Sequence, residues 1–137
     1  MEELCKGLKN AEFLGLLTGE TLKRTIAQAK LVVYPSLCYE NCPLSVLEAI
    51  SPGTPVIASS RGGVQELISQ EETGILVQEP FDEEALEESL RCLLEEPDKL
   101  ERMTQLCRKK SRAFISRDDY RKEIERIYRQ ILKNRNI

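Results

Sequence analysis

Two glutamates eight positions apart, Glu40 and Glu48, are the side chains in this sequence best suited to grip a ligand. An ionised carboxylate accepts two hydrogen bonds side by side, which matches the vicinal hydroxyls of a ribose or a hexose. The apolar run Leu31–Ser36 reads as a strand, and Glu40 falls in the loop beyond its carboxyl end. Pro43 then opens a short apolar helix that carries Glu48 and stops at Ser51-Pro52-Gly53. In open α/β sheets, ligands bind outside the carboxyl ends of strands. A helix starting there points N–H groups and a positive dipole end into the crevice, which suits a diphosphate. Proline at the first helical position loses no intrahelical bond. Glu48 lies roughly 7–8 Å further along the axis, and its side chain leans back toward the helix start and Glu40. Like charges repel, so phosphate must meet backbone N–H groups and a cation. Arg61 and Lys23 are candidate cations on either side of the motif in sequence.

Each feature alone has an ordinary explanation. Glu40 reads as a solvated loop residue, Glu48 as an exposed helical one, and a bare E-x7-E match carries little information in so charged a chain. Gly62-Gly63 reads as a turn into a helix, with close backbone approach to a ligand as the alternative.

The elements that must position these residues alternate. Ala11–Gly15, Leu31–Ser36, Pro55–Ser60 and Gly74–Gln78 have strand character and flanking turn signals. Helical patterns over Gly19–Ala29, Pro43–Ser51 and Val64–Gln70 lie between them. Alternation of this kind predicts a parallel sheet with right-handed crossovers. After Pro80 the pattern becomes helical: Asp82 caps a helix that Pro97 stops, Asp98 caps a second, and Ser116 starts a third. The second is buried through Leu100, Met103, Leu106 and Phe114. The third carries Tyr120, Ile124, Ile127, Ile131 and Leu132 on one face.

Composition bounds the function. The chain has 137 residues, 41% hydrophobic and 31% charged, which reads as one soluble, globular unit. Its net charge of −3 argues against a general nucleic-acid binder. Glu79 to Glu101 is acidic and Arg108 to Arg135 basic, a pair of solvated helix faces, with contact at a membrane surface as the sharper reading. There is no histidine, which removes Ser-His-Asp and Cys-His nucleophiles and histidine metal sites. The five cysteines form no C-x-x-C pair and suit a reducing cytoplasm. Cys38 and Cys42 read as small packing residues. A receiver-type signalling domain fails because the first aspartate is Asp82, and a dinucleotide-binding dehydrogenase fails because no G-x-G-x-x-G follows a strand.

Taken together, Tyr34-Pro-Ser36, Tyr39-Glu-Asn-Cys-Pro-Leu-Ser-Val-Leu-Glu-Ala49, Gly53-Thr-Pro-Val-Ile57, Gly62-Gly63, Glu66 and Thr73-Gly-Ile-Leu-Val77 closely resemble the family-4 glycosyltransferases. Nearly the whole chain is similar to the nucleotide-sugar-binding C-terminal half of these GT-B enzymes, which are retaining and metal-independent. The resemblance implies an α/β fold over 1–137: an incomplete Rossmann-like parallel sheet of about four strands with a helical tail over 82–137. It implies that Glu40 is the catalytic-site residue holding donor-sugar hydroxyls and that Glu48 holds the ribose. Backbone groups of Asn41, Cys42, Pro43, Leu44 and Ser45 would line the sugar and diphosphate. Phe13 to Leu16, with Gly15 and Leu16 at its end, would lie near the nucleobase, and Arg61 is the candidate phosphate contact. The donor would be a UDP- or GDP-sugar, with no metal or other cofactor. Transfer would serve cell-surface polysaccharide or glycolipid synthesis, in the cytoplasm and peripheral to the inner membrane face.

Two departures qualify this. Many family members have Gly-Phe-Gly where Asn41-Cys42-Pro43 stands, and Pro43 has no N–H to donate. The family also has an acceptor domain and two further donor-domain strands, which bring the Arg and Lys that neutralise the diphosphate. This chain would begin inside the helix after the second such strand, with Gly7 near its C-cap. Ala11–Gly15 would then pair directly with Leu31–Ser36 or leave an exposed edge. Losing one preorganised donor commonly costs about 2.7–4 kcal/mol in the transition state. The expectation is a donor-site fragment with little activity alone. The alternative is a non-enzymatic fragment or split-enzyme subunit that assembles with a separate chain.

Overall fold

The structure is a computed structural model that describes residues 3, 5, 7–78 and 82–134. Its elements run α1 (Gly19–Gln28), β1 (Val32–Tyr34), α2 (Leu44–Ile50), β2 (Val56–Ser59), α3 (Val64–Leu67), β3 (Gly74–Val77), α4 (Glu83–Glu95), α5 (Pro97–Ser111) and α6 (Arg117–Asn134). The strands form one parallel sheet in the order β1-β2-β3, with Val32 opposite Val56 and Val56 opposite Gly74.

β2 is the centre of the molecule. All four of its residues are buried, so it reads as a continuous apolar run rather than an alternating one. Its two faces serve two layers. Val56 and Ala58 join Val46, Ala49 and Ile50 of α2 and Val64 of α3. Ile57 points the other way and packs with Ile75 and Val77 of β3, Leu93 of α4 and Met103 of α5. The C-terminal helices are present, and those over 82–111 pack on the sheet and add Leu93, Met103 and Cys107 to the core. The last three residues of the expected tail, 135–137, and most of the helix expected ahead of Gly7 lie outside the described residues.

The expected strand Ala11–Gly15 does not form. These residues are exposed and join no ladder, so the sheet has three strands instead of about four. Strand propensity alone does not create a strand: an unpaired edge with no neighbour gains no hydrogen bonds to offset its lost entropy. β1 is left as a sheet edge, with Val33 facing solvent.

Several boundaries move for local reasons. Pro43 is the N-cap of α2, with ψ of 111°, rather than its first helical residue. Pro97 starts α5 instead of merely ending α4, leaving Glu96 at the cap where Asp98 was expected. The helix expected over Val64–Gln70 is one turn long and ends at Leu67, because Gln70 bridges to Gly74 instead. Lys110 of α5 reaches across to donate to the Leu67 carbonyl at 2.6 Å, which holds that short helix's end. Asp82 does cap α4, accepting from the Glu84 N–H at 2.9 Å, and Ser116 caps α6 by accepting from the Asp119 N–H at 3.1 Å.

The cysteines also sort differently from expectation. Cys38 and Cys42 are exposed, because the loop that carries them runs over the surface, and it is Cys107 of α5 that packs in the core. Burial pushes the Cys107 thiol up to about 11.

Two outcomes follow. Met103→Ala should lower stability by about 2–5 kcal/mol in urea melts, as a fully buried core side chain does; a change near zero would return α5 to the status of a tail. Because the folded-state Cys107 value is raised, its contribution is complete below the unfolded thiol value of 9.0 and is lost as pH climbs toward 11. Thiol labelling at pH 8 should accordingly mark Cys38 and Cys42 in the native protein and Cys107 only after denaturation.

Candidate functional site

The site lies at the carboxyl ends of β1 and β2, where two loops meet. The first, after Tyr34, carries Glu40; the second, after Ser59, carries Arg61, Gly62 and Gly63. Four contacts lock the first against the second. The Ser59 hydroxyl donates to the Ser36 carbonyl, and Arg61 Nη1 donates to the Leu37 carbonyl. The Arg61 guanidinium also lies 4.9 Å from the Tyr39 ring centroid, a cation–π contact. Finally, the Gly63 N–H donates to the Glu40 carbonyl at 2.8 Å.

Both glycines are required by that last contact. Gly62 has φ of +58°, the left-handed region, and a Cβ on it would lie 2.6 Å from the Glu40 carbonyl oxygen. A Cβ on Gly63 would lie 1.7 Å from the Asn41 carbonyl oxygen. The close approach that Gly62-Gly63 permits is therefore to the glutamate loop itself.

Glu40 is held by its side chain as well. The Tyr34 hydroxyl donates to Glu40 Oε1 at 2.6 Å. That hydrogen bond to the carboxylate, followed by burial, holds the Tyr34 phenol above its usual value, while the hydroxyls of Ser36 and Ser45 act against the shift. Tyr34 thus ties the last residue of β1 to the carboxylate of the glutamate loop. In the sequence Tyr34 is part of the motif with no role of its own. The available signal was a phenol on the last strand residue, immediately before the glutamate loop.

Glu48 sits one turn further along α2 and faces a different space. It lines an apolar cleft of about 490 Å³ between α1 and α2, whose walls include Leu22, Ile26, Leu44, Leu47 and Phe114, with Lys23 at the side. Lys23 is ion-paired with Glu20 at 2.7 Å on the surface of α1. The volume lies in the range of small-ligand sites, and its apolar walls with one carboxylate suit a flat ring joined to a diol. Glu40 is not in the lining of this cleft. The two glutamates therefore face different spaces: Glu40 is held by Tyr34 in the loop after β1, and Glu48 lines the cleft between α1 and α2.

The remaining expected site residues divide. Asn41, Cys42 and Ser45 are exposed, Leu44 lines the cleft, and Pro43 is buried. Gly15 and Leu16 are not brought to the cleft; Leu16 is 93% exposed, and α1 contributes Gly19 and Leu22 in their place. Arg61 lies at the rim beside Ser60, Gly62 and Gln65, with its guanidinium engaged by Leu37 and Tyr39. Among the described residues, no group of three or more His, Cys, Asp or Glu is placed to hold a metal.

Comparison with known proteins identifies the family. Residues 2–110 match the family model of the glycosyl transferases group 1. The chain belongs to that family. It is 44% identical over 80 residues to an uncharacterized glycosyltransferase of Methanocaldococcus jannaschii, covering 56% of this chain and 20% of the relative. Sucrose-phosphate synthase from Thermosynechococcus elongatus superposes with a TM-score of 0.85 at 31% identity, covering 97% of this chain and 34% of that one. Anabaena HepE, solved with UDP and with UDP-glucose, superposes with TM-scores of 0.71 and 0.67 at 25% identity, over 80% of this chain and 31% of HepE. The chain spans 20% to 34% of the length of these proteins. The family's α/β, Rossmann-like donor-binding fold is thus present in a three-stranded form, and no helix among the described residues is long and apolar enough to cross a membrane.

Gly63→Ala should cost about 1–3 kcal/mol through overpacking against Asn41, and should shift the amide resonances of residues 38–42 in a two-dimensional NMR spectrum. Unchanged resonances there would show that the two loops are not interlocked.

Proposed function

We propose that this chain is a nucleotide-sugar-binding module of a group 1 glycosyltransferase, and that its donor is a nucleoside-diphosphate sugar such as UDP-glucose. The observation that carries the reading is Glu48 in the apolar cleft between α1 and α2, with Glu40 fixed by Tyr34 in the loop that leads into α2. In this reading the nucleobase lies on the Leu22, Ile26 and Leu44 wall and the ribose hydroxyls donate to Glu48. The diphosphate crosses the backbone of Asn41 to Ser45, and the sugar hydroxyls donate to Glu40. Each carboxylate then meets hydroxyls and neither meets phosphate, which is the arrangement that charge demands.

The proposal is donor binding rather than turnover. Departure of a nucleoside diphosphate needs preorganised positive charge. The two candidate cations are occupied: Lys23 by Glu20, and Arg61 by the Leu37 carbonyl and the Tyr39 ring. Arg61, the phosphate contact that the resemblance suggests, would have to loosen its hold on the loop to take up that role, whereas Lys23 would give up only its surface pair. An acceptor-binding partner, a membrane-peripheral cytoplasmic location and a polysaccharide or glycolipid acceptor follow from the family resemblance and belong to the same proposal.

Titration calorimetry with UDP, GDP and ADP tests it. One nucleotide should bind, and Glu48→Ala should weaken that binding by about tenfold, near 1.4 kcal/mol. Undiminished affinity would remove Glu48 from the ribose, and binding of none of the three would remove the function.

A further inference from the structure

We infer that Tyr34 is a positioning residue for Glu40, presetting the carboxylate that receives the donor sugar; this rests on the donor-binding reading above. The loop after β1 has its backbone fixed at Ser36, Leu37 and Glu40 by residues from the end of β2. None of those contacts touches the Glu40 carboxylate. A glutamate in an exposed loop keeps three side-chain torsions free, and ordering them on binding subtracts from affinity. The Tyr34–Glu40 hydrogen bond at 2.6 Å removes that freedom beforehand.

Tyrosine at this position suits the task. Its backbone is the last residue of β1, paired with Ala58 of the fully buried β2. Its ring packs against the apolar cluster of Val46, Ala49 and Val56. With only two side-chain torsions, the ring carries its hydroxyl from the core to the rim as a rigid strut. A phenol donates one hydrogen bond, so it engages Oε1 and leaves Oε2 open to sugar hydroxyls. Phenylalanine would keep the packing and lose only the tether.

The test compares wild type with Tyr34→Phe, Glu40→Ala and the double variant, using calorimetry with UDP-glucose and with UDP. Tyr34→Phe should weaken UDP-glucose by roughly five- to tenfold, about 1–1.4 kcal/mol, and leave UDP unchanged, since UDP has no sugar to meet Glu40. In the double variant the loss should equal that of Glu40→Ala alone, because the two residues act through one contact. Equal weakening of both ligands, or additive losses, would make Tyr34 a merely structural residue and overturn the inference. A ligand-free measurement separates this failure from that of the donor-binding reading. Absorbance titration of the tyrosines should show one phenol that ionises late in wild type and earlier in Glu40→Gln. If that shift is present but neither ligand binds wild type, the donor-binding reading fails and the tether stands without its role. If the shift is absent, the tether itself is wrong whatever binds.

Discussion

A side chain at position 63 and the carbonyl oxygen of Asn41 would have to share the same space, and the arrangement of the site depends on that exclusion. With glycine there, the turn after β2 settles directly on the backbone of the glutamate loop, and the Gly63 N–H bonds the Glu40 carbonyl. The two loops become one surface. Ser59 and Arg61 extend the same junction toward Ser36 and Leu37, so successive residues of one strand end hold successive residues of the other. Since β1 and β2 are hydrogen-bonded neighbours, the register of the sheet determines how the loops meet. Packing of β2 between two apolar layers therefore reaches the site through few intermediaries.

The charged groups around the two glutamates divide by role. Glu40 and Glu48 are acceptors and suit hydroxyls. The nearby cations serve architecture, Arg61 bracing the loop and Lys23 pairing along α1. A surface pair such as Lys23–Glu20 contributes little to stability in water, so Lys23 is the cation that a bound phosphate could recruit at least cost. Arg61 is the more expensive choice, because its withdrawal would free the Leu37 carbonyl and the Tyr39 ring together.

Much of this was legible in the residues. The Val56–Ser59 strand announces itself by β-branched residues between Pro55 and the glycine pair, and its burial on both faces leaves no alternation to misread. The E-x7-E spacing placed Glu40 on a loop and Glu48 on a helix. What stayed hidden was what depends on partners distant in sequence. Ala11–Gly15 has strand-like residues, but a strand exists only where another chain segment lies alongside, and composition does not record that. Cys38 and Cys42 were assigned to packing by residue type, whereas a loop on the rim exposes whatever it carries. The glycine pair reads as a turn or as close approach to a ligand, and only the folded chain shows that what it approaches is the glutamate loop. Tyr34 was invisible as a site residue because its partner lies across a proline and a turn.

α6 shows where periodicity and packing part. Its apolar residues recur at helical spacing, yet Tyr120, Ile127, Tyr128, Ile131 and Leu132 are exposed. Tertiary burial is the usual source of helix stability, and here most of it is missing. Local interactions stand in its place: the Ser116 cap, and the ion pairs Lys122–Asp119, Arg121–Glu125 and Arg126–Glu123 along the polar side. Acidic Asp118 and Asp119 in its first turn and Lys133 in its last also complement the helix dipole. Such interactions specify a helix without specifying where it docks. α1, α2, α4 and α5 differ because contacts beyond their own turns fix their places, as when Thr54 bonds the Ile26 carbonyl at 2.9 Å. Burial in this chain therefore falls away from β2, and the glutamate loop is held in place because residues at that strand's end bond to it.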